Sequence, residues 1–246
     1  MKFAGIIAEY DPFHNGHAWQ LAQAKALGAE RVAVAMSCSL VQRGALPLLP
    51  EAVRTRSALT CGADLVFALP APCACAGAEA FARAGVALLA AAGCDGLVFG
   101  AETPDAALLM EAAELLDSDS YRAALKAQLA GGARSFAAAR QAAAAQLASD
   151  ERVAALLDKP NNNLAVEYCR AIRSLAPRME AYPLPRQGAN HGEALHSAHG
   201  QFASASALRK LWAEGGADAI APYVPEAVFP LYQEAYAAGQ YTDFSA

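Results

Sequence analysis

The chain contains no uninterrupted run of about 18 strongly apolar residues, which is what a membrane-spanning helix requires. Its 55% hydrophobic content is carried largely by alanine, so it reads as soluble, without a membrane partner. The first residues, MKFAGIIAEYDPFHNG, lack a basic region followed by an apolar segment and a small-residue cleavage site, because Glu9 and Asp11 intervene. A cytoplasmic location is expected. CxxC spacing is absent as well. The six cysteines, Cys38, Cys61, Cys73, Cys75, Cys94 and Cys169, lie in apolar or alanine-rich surroundings that suit buried thiols in a reducing compartment. Cys73 and Cys75 form a CxC that reads as packing. Positive charge is in deficit, with 19 Lys and Arg against 24 Asp and Glu, which argues against a generally basic surface that coats nucleic acid. A local basic patch remains compatible with that balance.

What is present is concentrated at the start. Phe3 to Ala8 is short, apolar and closed by Asp11-Pro12, so it reads as a buried parallel strand leading into a loop. Gly16 then permits close approach of backbone or of a ligand. His14 and His17, three residues apart at the mouth of a helix, share one face. There they can donate N–H bonds to phosphate oxygens, beside the unpaired amides of the helix start. Isolated histidine pairs are most often surface or packing residues, and HxxH is also half of a metal site. A metal would need further ligands, for which Glu9 and Asp11 are the only close candidates, so none is expected. Strand, glycine and helix together favour phosphate.

The motif His14-Asn15-Gly16-His17 after a first strand resembles the HxGH signature of the HIGH-motif nucleotidyltransferase superfamily. The wider stretch Glu9-Tyr10-Asp11-Pro12-Phe13-His14-Asn15-Gly16-His17 is similar to the tRNA(Met) cytidine acetate ligase family. That resemblance implies His14 and His17 as catalytic residues. It also implies ATP contacts along Ile7, Ala8, Glu9, Tyr10, Asp11, Pro12 and Phe13, then at Asn15, Gly16 and Gln20.

The 246 residues suffice for one large α/β domain with appended helices, or for one and a half domains. Strand-like segments Phe3–Ala8, Arg31–Met36, Asp64–Leu69 and Gly96–Gly100 alternate with helical candidates Gly16–Leu27, Pro50–Cys61 and Ala76–Ala92. The alternation implies crossover units and a parallel sheet, with ligands beyond the carboxyl ends of the strands. The expected class is therefore α/β, a Rossmann-like parallel sheet with a helical insertion and C-terminal helices. From Asp105 to Leu157 strong helix formers dominate, broken at Ser118–Ser120 and at Gly131-Gly132. Pro160–Asn163 is read as ending that insertion, with a helix resuming over Leu164–Ser174 and a last core strand over Met179–Pro183. After a loop over residues 184–202, a helix should start at Ser204 and run through Trp212 to Glu214. The division expected is a nucleotidyltransferase core at 1–104 and 158–215, a helical insertion at 105–157, and the start of a truncated C-terminal helical region at 216–246. No true repeat is present.

Further motifs follow in order. Ser204-Ala205-Ser206-Ala207-Leu208-Arg209-Lys210 puts two hydroxyls at a helix start and two cations one turn inside, a combination suited to a triphosphate. An ordinary capped helix with solvated basic residues would look the same. In the superfamily a Ser/Thr-rich segment with downstream Arg or Lys replaces the KMSKS loop, so the resemblance implies phosphate contacts at Ser204, Ser206, Arg209 and Lys210. Asn161-Asn162-Asn163-Leu164-Ala165-Val166-Glu167-Tyr168 resembles the family's NNxLxxEY segment, which implies a nucleotide contact at Asn161. Asn162 and Asn163 read as turn and cap residues. Leu184-Pro185-Arg186-Gln187-Gly188-Ala189 implies a phosphate or ribose contact at Arg186, and Gly100-Ala101-Glu102 implies close approach of adenine or ribose at Gly100. Arg43, Arg54 and Arg56 are candidate contacts to tRNA or phosphate. Asp11 stands where the family carries Asn, Ala101 where it carries Ser, and Pro50-Glu51 where a lysine is expected.

The chemistry implied is activation of acetate by ATP, with Mg²⁺ on the triphosphate, and transfer of acetyl to N4 of the wobble cytidine of elongator tRNA(Met). Two other readings of the same residues stay open. One is a small-molecule adenylyltransferase or cytidylyltransferase sharing HxGH; the other is a non-catalytic nucleotide- or RNA-binding module. Oligomeric state has no signature in the sequence.

Overall fold

The computed structural model describes residues 1–186 and 202–244. Five parallel strands form one sheet: β1 (Phe3–Ala8), β2 (Arg31–Ser37), β3 (Leu65–Leu69), β4 (Gly96–Ala101) and β5 (Glu180–Pro185), in the order β3-β2-β1-β4-β5. The chain builds outward from β1 to β3, then returns to the other side of β1 for β4 and β5. The junction between β1 and β4 is therefore the point where the winding reverses, the place at which open α/β sheets bind ligands.

Alternation along each strand supplies both faces of the sheet with core. On β2, Ala33 and Ala35 pack with α4 (Ala78–Ala91), α5 (Ala106–Asp117) and α9 (Pro160–Leu175). Val32, Val34 and Met36 point the other way, into a second core with α1 (Asn15–Ala26), α2 (Glu51–Thr60), α10 (Ala205–Ala219) and α11 (Phe229–Ala237). A strand covered on both sides must be apolar at every position, which is why β2 reads as a continuous run. A four-residue helix, α3 (Ala71–Ala74), follows β3.

Alanine-rich sequence alone would favour one long helix between 105 and 157. Cap residues divide it instead. Asp105, Ser118, Ser135 and Asp150 each accept a backbone N–H at the start of α5, α6 (Asp119–Ala130), α7 (Phe136–Leu147) and α8 (Glu151–Leu156). The breaks expected at Ser118 and at Gly131-Gly132 are present, and a third, before Asp150, was not anticipated. Another boundary needs correction. Helix α9 begins at Pro160, so the three asparagines occupy its first turn rather than a preceding loop. Proline at the first helical position lacks only an N–H that would have had no partner there. Helix α10 bends at Gly215-Gly216; Gly216 has φ 66°, and a Cβ there would lie 2.5 Å from the Tyr236 ring.

No helix of the described residues is long and apolar enough to cross a membrane.

Candidate functional site

Beyond Ala8 the chain turns through Glu9–Phe13 into α1. Tyr10 takes a left-handed backbone conformation, φ 51°, which costs a non-glycine residue on the order of 1 kcal/mol. Burial of its ring, 1% exposed, holds it there.

His14 is the N-cap of α1. Its Nδ1 accepts the Gly16 N–H at 3.0 Å, and the Nδ1 of His17 accepts the His14 N–H at 3.3 Å, a capping box built from two imidazoles. The rings stack at 3.7 Å with 21° between planes, and His17 also meets the Tyr10 ring edge-on at 4.8 Å. Burial, reinforced by the positive charge of Arg186, lowers the His14 pKa to about 3. Burial, His14 and Arg186 together hold His17 well below the usual imidazole range. Both rings are then neutral near pH 7. Because each Nδ1 accepts, the network assigns the proton to Nε2, so each ring presents one Nε2–H donor.

Gly16 was expected to make room for backbone or ligand. The room is taken by His14 itself: a Cβ on Gly16 would lie 2.9 Å from Cε1 of that ring.

Arg186, directly after β5, is exposed and donates through Nη1 to Oδ1 of Asn161 at 2.7 Å. The Asn161 amide in turn donates to Glu102 Oε1 at 2.6 Å. Glu102 also accepts the backbone N–H groups of Asn161 and Asn162, at 3.2 and 2.7 Å. Lys159, the N-cap of α9, offers no side-chain bond, so a carboxylate from the end of β4 caps that helix instead. Glu102, which is not among the expected residues, thus anchors Asn161. Its only trace in the sequence is the Gly100-Ala101-Glu102 pattern. Asn162 is 1% exposed and bonds Thr103 through both ends of its amide, so it joins the end of β4 to α9. Gly100 faces Arg186: a Cβ there would stand 3.5 Å from Arg186 Cγ, an ordinary contact.

Ser204 caps α10 through the Ala207 N–H, and its hydroxyl lies 3.1 Å from that of Ser206. Lys210 is exposed. Arg209 donates through Nη1 to the Asp11 carbonyl at 2.7 Å and to Asp11 Oδ2 at 3.0 Å, while Asp11 Oδ1 accepts the Leu48 N–H at 2.6 Å. Phe202, just ahead of this helix, reaches 3.9 Å from the missing Cβ of Gly16. The starts of α1 and α10 therefore converge.

Several of the residues expected to touch ATP have their side chains engaged within the protein. Phe13 is 0% exposed and its carbonyl accepts the Tyr232 hydroxyl, so its ring, like that of Tyr10, belongs to the core rather than to a ligand. Ile7 turns its side chain onto Gly85 of α4, Ala8 ends β1 and packs against the second core, and Pro12 is buried. Glu9 accepts the Gln42 N–H, and burial pushes its carboxyl upward. Gln20 donates to the Val98 carbonyl at 3.1 Å, tying α1 to β4, and Asn15 donates to the Pro222 carbonyl at 3.2 Å. Arg54 is 0% exposed: its guanidinium donates to the carbonyls of Glu9, Ser37, Cys38 and Leu49. A side chain so enclosed cannot meet RNA or a phosphate. Arg56 is exposed on α2, and the Arg43 side chain and residues 187–189 lie outside the described residues. No group of three or more His, Cys, Asp or Glu among the described residues is placed to hold a metal ion.

A family model described as HIGH Nucleotidyl Transferase matches residues 1–245. The chain is similar to the tRNA(Met) cytidine acetate ligase of Syntrophotalea carbinolica, with 41% identity over 218 residues that cover 87% of this chain and 52% of the relative. With that of Caldanaerobacter subterraneus subsp. tengcongensis it shares 34% over 244 residues, 98% of this chain and 60% of the relative. Among solved structures, Thermotoga maritima TmcAL superposes with a TM-score of 0.91 in its apo form I, at 31% identity. The same protein bound with alpha-thio ATP gives 0.87 at 30%, covering 98% of this chain and 57% of that one. The chain spans between about half and three-fifths of the length of these relatives.

Proposed function

Since the chain belongs to the HIGH nucleotidyl transferase family, we propose that it carries the ATP-using half of a tRNA(Met) cytidine acetate ligase. ATP would lie across the carboxyl ends of β1 and β4. The observation that carries this reading is the pair of neutral imidazoles whose Nδ1 atoms are occupied by backbone amides and whose Nε2–H donors remain, beside Arg186.

A carboxylate oxygen of acetate attacks the α phosphorus, and the bond to the bridging oxygen breaks with release of pyrophosphate. Charge grows on the equatorial and leaving oxygens during that step. Prearranged donors stabilise it, each worth roughly 3 kcal/mol in comparable sites. His14 and His17 supply donors at the transferring phosphate, and a neutral imidazole can donate from Nε2–H while its Nδ1 still accepts a backbone amide. Arg186, Ser206 and Lys210 would hold the departing pyrophosphate. Arg209 would act from its seat on Asp11, and Mg²⁺ would arrive with the triphosphate, screening its charge. In the second step the N4 amine of the cytidine attacks the acetyl carbon and AMP leaves. Arg43 and Arg56 remain as local cations for elongator tRNA(Met), since phosphate contacts carry much of RNA affinity.

Exchange of labelled pyrophosphate into ATP tests the reading directly. Exchange should depend on acetate and fall by about two orders of magnitude or more in His14→Ala and in His17→Ala. An adenylyltransferase with another acceptor would instead show no exchange with acetate alone.

A further inference from the structure

Glu102 and Arg186 directly follow the last pair of the β4–β5 ladder, in which Ala101 lies beside Pro185. The parallel register therefore brings a carboxylate and a guanidinium to adjacent positions at the strand ends, where opposite charges ordinarily pair. Here they do not. The Glu102 charge acts on Arg186 from a distance, with no hydrogen bond or ion pair between the two. Each bonds Asn161 instead: Oδ1 of that amide accepts from Arg186 Nη1 at 2.7 Å, and its Nδ2 donates to Glu102 Oε1 at 2.6 Å.

Glu102 sets the orientation of the amide. Its Oε1 also accepts the Asn161 N–H, and its Oε2 the Asn162 N–H, so three bonds fix the carboxylate. An ionised carboxylate only accepts, so the Nδ2 end of Asn161 must face it and the Oδ1 end must face Arg186. With the amide reversed, its NH₂ would meet the guanidinium, donor against donor. A neutral group thus holds the arginine and leaves its positive charge in place. Direct pairing with Glu102 would cancel much of that charge where an anion is to be bound. Capping alone does not call for this arrangement. Helices α5 to α8 are each capped by the residue that precedes them, whereas α9 takes its carboxylate from the end of β4.

We propose that Glu102 is a positioning residue for phosphate binding: through Asn161 it aims the Arg186 guanidinium at the β and γ phosphates and keeps its charge available to them. The inference rests on the proposed binding of ATP beside Arg186. Glu102 itself need touch no ligand.

The test is a set of calorimetric titrations of the whole chain with ATP and with AMP, which lacks those two phosphates. Glu102→Gln, Asn161→Ala and Arg186→Ala should each weaken ATP binding about tenfold, as loss of one charge-assisted contact does, and leave AMP bound as by the parent. All three act at one guanidinium, so the losses should not add. Glu102→Gln/Arg186→Ala and Asn161→Ala/Arg186→Ala should each bind ATP about as Arg186→Ala does alone. Asn161→Ala keeps both backbone bonds to Glu102, so it should melt like the parent and carries the test if Glu102→Gln unfolds. Parental ATP affinity in Glu102→Gln or in Asn161→Ala, or a double variant weakened by the product of its two single losses, would overturn the inference while ATP binding still stood. So would AMP affinity that falls in step with that for ATP. A parent chain that binds no ATP would overturn the proposed function, and this inference with it.

Discussion

Arg209 of α10 donates through one nitrogen to both the carbonyl and the carboxylate of Asp11, 198 residues earlier in the chain. The bond joins the loop that carries the histidines to the helix that carries Ser204 and Ser206. Asp11 is 5% exposed and also holds the Leu48 N–H, so its carboxylate has little water to fall back on. Arg209→Ala should therefore destabilise the fold by about 2 kcal/mol, less than a fully buried pair because the arginine side chain is 32% exposed. Asp11→Asn, which keeps an oxygen for Leu48, should lose less. Urea unfolding midpoints at pH 7 decide the matter, and a parental midpoint for Arg209→Ala would show that the tie contributes nothing.

Gly16→Ala places a methyl group 2.9 Å from Cε1 of His14, well inside contact distance. The backbone conformation there tolerates alanine, so the His14 ring should move and the fold should persist. Once displaced into water, His14 should titrate closer to pH 6.5 instead of about 3, with its Nδ1 bond to the Gly16 amide lost. An imidazole NMR titration that stays flat down to pH 5 would show that the ring has not moved.

Arg54→Ala should cost more than about 3 kcal/mol, because it leaves four buried carbonyls without their donor and opens a cavity beneath the loop. Arg54→Lys, with fewer donors in a different geometry, should recover only part of that. Thermal melting separates the three proteins. Equal melting temperatures would contradict the role given to Arg54.

The histidines also make stability depend on pH, with a sign that follows from their lowered pKa values. In the unfolded chain they take up protons near pH 6.5, but folded His14 does so only near pH 3 and His17 lies well below its usual range. Between those limits the unfolded state binds more protons, so stability is present above pH 6.5 and falls as pH is lowered. The loss at pH 5 should be on the order of 1–2 kcal/mol for each ring. Glu9, whose pKa is raised by burial, acts in the opposite direction at lower pH. Comparing urea unfolding at pH 7 and pH 5 with the double variant His14→Asn/His17→Asn isolates the histidines. The variant should show the flatter dependence, and equal slopes would refute the assignment.

Features governed by near neighbours were legible in the residues themselves. The apolar runs of the strands, the glycine and paired histidines at the first helix start, and the Ser204 cap all act within a few positions, so spacing and residue type sufficed to place them. Even there the reason for Gly16 was hidden, since its neighbour is a ring two residues away whose rotamer no spacing reveals. What tertiary structure alone decided were matches between distant segments. Glu102 meets Asn161 across 59 residues, Arg209 reaches Asp11 across 198, and Arg54 disappears beneath carbonyls from three separate segments. An arginine in sequence is a charge with no stated surroundings. Whether it faces water, a carbonyl or a ligand depends on which surfaces the folded chain brings against it, and that is settled by packing the whole domain at once.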